Sequence, residues 1–184
     1  MIQITNVDEL NKILRTELIT QSQVSADNVR NGLSLQGSML DKSLDRTNEF
    51  FSSLDVTDLA IIFELSLRHS SSNVTMSEKV NEDGNIISIS SYDMHVIIYG
   101  NDSINTALKT IARLRSEVGR MNLYSKGVYL ESIDEPTSFN EFINETMWLR
   151  TDFSINVSCE MCIEKVSSDY DITVLSGLQI KEEK

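Results

Sequence analysis

The chain has 184 residues, 40% hydrophobic and 24% charged, which suits a soluble globular domain able to bury about 70% of its unfolded surface. No run of about 18 apolar residues occurs, so no membrane span is expected, and two cysteines do not make a disulfide scaffold. A net charge of −12 argues against binding nucleic acid, which requires Lys and Arg to neutralise phosphates.

The opening MIQITNVDELNK lacks the basic start and apolar block of a signal peptide, so cytoplasmic synthesis is expected. Asn6, with Glu9 three residues later, forms a capping-box pattern. Leu10, Leu14 and Leu18 then recur at helical spacing, with Glu17 among them, and predict a helix over 7–19. Residues 20–38 are rich in Ser, Gln, Asn and Gly. Within them Val29 to Gln36 fits a short edge strand or an irregular arm. Residues 39–54 carry Leu40, Leu44, Phe51 and Leu54 among charged residues and fit a short helix or a turn.

Leu59, Ile61, Phe63, Leu65 and Leu67 alternate as a strand requires. Asp83-Gly84-Asn85 is a turn signal, so a hairpin tip over 74–86 is predicted, with Glu78, Glu82 and Asp83 as acidic candidates for a ring lumen. Ile86 to Tyr99 reads as a strand apolar on both faces near its end, hence central in a sheet. Gly100 breaks it. After the cap-forming Asn101, Asp102 and Ser103, an apolar stripe of Ile104, Leu108, Ile111, Leu114 or Arg115, and Val118 predicts the main helix over 103–118, ended by Gly119. Lys126 to Ile133 reads as a strand. Ser138-Phe139-Asn140-Glu141 resembles a capping box and predicts a short helix.

The strongest signal is Thr151 to Lys165. Phe153, Ile155, Val157, Cys159, Met161 and Ile163 alternate with polar residues over more than about 35 Å of extended chain. A long strand with one wet face belongs to an antiparallel sheet. The fold expected is therefore α+β: a mostly antiparallel sheet of long strands, one main helix, and the N-terminal helix packed on it. One domain over 1–166 has its sheet core at 59–165. Residues 167–184 then form an extra strand or an arm that docks on a neighbour.

Cys159-x-x-Cys162 would suit a metal or redox site at a turn. On a strand, residues three apart face opposite ways, so one core and one surface cysteine are expected. His95 reads as a core or interface side chain. No catalytic, cofactor-binding or metal set is expected, and a carboxylate-metal enzyme finds no convergent acids. Trp148 reads as a core anchor, and Arg150 as either solvated or paired with an acid across the sheet.

Charge is uneven. Residues 101–130 carry a net +3 and residues 131–164 a net −7. Clustered solvated surface is the plain reading. The sharper one is a head-to-tail contact between copies, which closes into a ring where the rotation permits. Lys109, Arg113, Arg120, Glu141, Glu145 and Arg150 are its interface candidates.

Three runs carry a family resemblance: Tyr92-Asp93-Met94-His95-Val96-Ile97-Ile98-Tyr99-Gly100-Asn101-Asp102-Ser103, Leu123-Tyr124-Ser125-Lys126-Gly127-Val128-Tyr129-Leu130 and Trp148-Leu149-Arg150-Thr151-Asp152-Phe153. Their pattern and order, over roughly 59–165, resemble tail-terminator (neck-terminator) proteins of tailed bacteriophages. The resemblance implies a virion protein forming a ring, usually a hexamer, at the head–tail junction. Such a ring caps the tail tube, joins it to the head connector and neck proteins, and lets DNA pass without specific binding. It implies no catalysis and no cofactor. The alternative is a cytosolic α+β adaptor that binds one protein partner.

Overall fold

The computed structural model describes residues 4–32, 46–68, 79–80 and 85–163. They form an α+β fold built on a seven-stranded mixed sheet. In chain order the elements are α1 (Val7–Ser22), β1 (Val29–Asn31), α2 (Arg46–Ser52), β2 (Ala60–Leu67), β3 (Lys79–Val80), β4 (Ile86–Tyr99), α3 (Ser103–Arg115), α4 (Glu117–Ser125), β5 (Val128–Ile133), β6 (Thr137–Ile143) and β7 (Thr146–Ile163).

The main strand order is β1-β2-β4-β7-β5, with β3 beside β4 and β6 beside β7. All pairings are antiparallel except β1 with β2. β7 runs 18 residues, longer than its alternation alone predicts, because Thr146 to Arg150 pair with β6. It lies against β4 over nearly its whole length, in register from Tyr99↔Arg150 to Ile86↔Ile163. Its outer edge is shared: β6 takes the first half, β5 the second, and Ile4 bridges to Met161 near the end.

One sheet face carries the main core. Phe153, Ile155, Val157, Cys159 and Met161 of β7 join Met94, Val96 and Ile98 of β4, Ile61 and Phe63 of β2, and Leu10, Leu14 and Leu18 of α1. α1 packs on α3, and both lie over this face. Asn6 caps α1 by accepting the Glu9 N–H at 2.8 Å. The Glu9 carboxylate reaches back to the N–H and hydroxyl of Thr5, one residue before the cap. Gln23, in the left-handed region at φ 64°, ends the helix.

The opposite face holds a smaller core. Phe51 of α2 stacks edge-on against Tyr99 at 4.8 Å and Trp148 at 5.2 Å, with Ala60 and Ile62 beside them. β4 is therefore central and apolar on both sides at its C-terminal end, as the sequence predicts. Trp148 is a core anchor.

Three expectations are corrected. First, Ser138 to Ile143 is not a helix but strand β6, joined to β7 by a tight turn in which Asn144 and Glu145 both have positive φ. The residues that mimic a capping box are engaged elsewhere: Ser138 bonds Thr151, and Glu141 accepts from Arg150 and Tyr99. Second, the main helix stops at Arg115. Ser116 is extended, caps α4 by accepting the Gly119 N–H, and so splits one predicted helix into two. Gly119 is buried inside α4 and does not end α3. A Cβ there would strike the carbonyl oxygen of Arg113, so the turn between the helices needs glycine. Third, the face α3 buries is Ser103, Thr106, Ala107, Thr110, Ile111 and Leu114, whereas Leu108 and Val118 are exposed. Small residues let the helix sit close to the sheet. Their hydroxyls are satisfied: Thr110 donates to the Thr106 carbonyl, and Thr151 donates to Ser103.

Of the alternatives left open, a strand is found at Val29–Asn31 within the first stretch and a helix, α2, within the second. Glu78, Glu82, Asp83 and residues 167–184 lie outside the described residues.

Candidate functional site

Register builds a charged array on the sheet face opposite α1 and α3. Tyr99 of β4, Arg150 of β7 and Phe139 of β6 are direct cross-strand partners. The Arg150 guanidinium therefore lies between two rings, 4.9 Å from the Phe139 centroid and 5.9 Å from that of Tyr99. Its fork grips Asp152, two residues along the strand, with Nε to Oδ1 at 2.7 Å and Nη2 to Oδ2 at 2.6 Å. Nη1 donates to Glu141 Oε2 at 3.0 Å, and the Tyr99 hydroxyl donates to that same oxygen at 2.7 Å. His95 Nε2 stands 3.3 Å from Asp152 Oδ2.

The bonds to Asp152, more than any other contact, raise the Arg150 pKa above its ordinary value. Burial, then the bond to Glu141, raises that of Tyr99. The array thus holds one fixed cation, two acids and a neutral phenol at neutral pH. Of the two readings left open for Arg150, the cross-sheet ion pair is the one found. Its donors are spent inside the chain, so Arg150 and Glu141 clamp β6 to β7 and β4.

The other interface candidates separate. Lys109 on α3 and Arg120 on α4 are exposed, and neither has an ion-pair partner among the described residues. Arg113 donates to the Gln21 carbonyl at 2.7 Å and to the Gln23 side chain at 3.3 Å, tying α3 to the end of α1. Glu145 is exposed in the β6–β7 turn. The buried acid on α1, Glu17, meets Lys126 at 3.0 Å and accepts from Gln21 at 2.6 Å.

Cys159 and Cys162 are both free and both buried. The expected surface position of Cys162 is thereby corrected. It stands beside Ile87 on β4, and its N–H is bonded to the Ile4 carbonyl, so chain lies on both sides of it. Strand alternation still sends the two sulfurs to opposite faces. Burial pushes the Cys159 thiol up to about 11. Among the described residues no cluster of three or more His, Cys, Asp or Glu could hold a metal ion.

Two exposed apolar patches escaped the sequence reading. Phe142 and Met147 face each other across the β6–β7 turn, and Val118, Met121 and Tyr124 line the outer side of α4. The first was hidden by the helix predicted over 138–143, the second by the unbroken helix predicted through 118. Asn144 and Ser116, residue types that favour turns and helix caps, were the clues available.

No protein-family model matches this chain, and no curated protein matches it.

Proposed function

We propose that this chain is a non-catalytic assembly protein of a tailed virus, a tail or neck terminator that forms a homo-oligomeric ring, of six copies in the usual form, at the head–tail junction. In this role the ring caps the tail tube, joins it to the head connector and passes DNA through its channel.

What carries the reading is the way the three runs resembling that family assemble. The first forms β4, the Gly100 break and the start of α3. The second forms the end of α4 and the start of β5, and the third opens β7. The first run pairs with residues 150–157 of β7 and the second with residues 157–159, so β7, which the third run opens, joins all three. The charge distribution supports the same reading. A strongly acidic chain repels phosphate, which suits a channel that DNA must traverse without sticking. The ion pairs gathered around Arg150 act as a brace between strands.

The test is location. Virus particles encoded beside this chain, labelled with an antibody raised against it, carry the label at the head–tail junction. Particles without label there, with the chain free in the cytosol bound to one partner, would favour the adaptor reading.

A further inference from the structure

We draw no further inference here: the strongest candidate, the exposed apolar stripe of Val118, Met121 and Tyr124 on the outer side of α4, holds Glu117 within it and Arg120 beside it, so its charges choose no partner, and nothing in the structure shows what covers it.

Discussion

Single residues decide how the body of this protein is held. The Glu17 carboxylate is buried and satisfied by Lys126 and Gln21, with the lysine end about a third exposed. Lys126→Met strands that carboxylate. A loss of about 2–3 kcal/mol is expected in urea unfolding, below the 3–5 kcal/mol of a fully buried pair because solvent reaches the lysine. Adding Glu17→Leu should recover most of it, since an apolar pair of similar volume needs no desolvated charge. Arg150→Lys keeps the charge but not the fork, so one of the contacts to Asp152 and Glu141 is lost along with the stacking between Phe139 and Tyr99. Destabilisation of about 1–3 kcal/mol is expected, read by thermal unfolding. At the start of α1, Asn6→Ala should cost about 1 kcal/mol. The Thr5 N–H and hydroxyl hold the Glu9 carboxyl below its ordinary 4.5. Its contribution is complete above that pH and fades as the pH falls through the lowered value, which helix content by circular dichroism should follow. Much at this scale was legible. Asn6, Leu10, Leu14 and Leu18 do what their spacing indicates. Arg150 was left between two readings, because Asp152 is two residues along its own strand but Glu141, Phe139 and Tyr99 come from β6 and β4, and only the folded register brings those within reach.

Elements followed the sequence where one periodicity dominated. β7 alternates over most of its length, and its buried face is the one that pattern predicts. Two local signals misled. Ser138 and Glu141 mimic a helix start, yet pairing with an already formed long strand outweighs a cap worth about 1 kcal/mol. On α3 the predicted Ile111 and Leu114 are buried, but the rest of the buried stripe is Ser, Thr and Ala, so apolar content drew the predicted face towards Leu108, which is exposed. Carrying that stripe on to Val118 also concealed the second helix, which begins at Glu117. The break between α3 and α4 depends on Gly119. Gly119→Ala presses a methyl group against the Arg113 carbonyl, and a cost of about 1–3 kcal/mol is expected. Helix content and melting temperature would check it; an unchanged melting temperature would mean that α4 can shift away.

At the scale of the whole molecule, α1 and α3 cover one face of the sheet, α2 covers one end of the other, and the β6–β7 hairpin lies against α2, with Ile143 packed on the smaller core and Asn144 donating to the Ser52 hydroxyl. The uneven charge visible in the sequence survives folding in a reduced form. Arg150 pairs with Asp152 and Glu141, and Lys126 with Glu17, within the chain. The proposed ring requires complementary surfaces on each copy. The most direct measurement is electron microscopy of the purified full-length chain, alone and with isolated tail tubes. Rings of a single size with a central hole, free or seated on tube ends, are the result expected. Separate single-chain particles at every concentration, with no density added to the tubes, would contradict it.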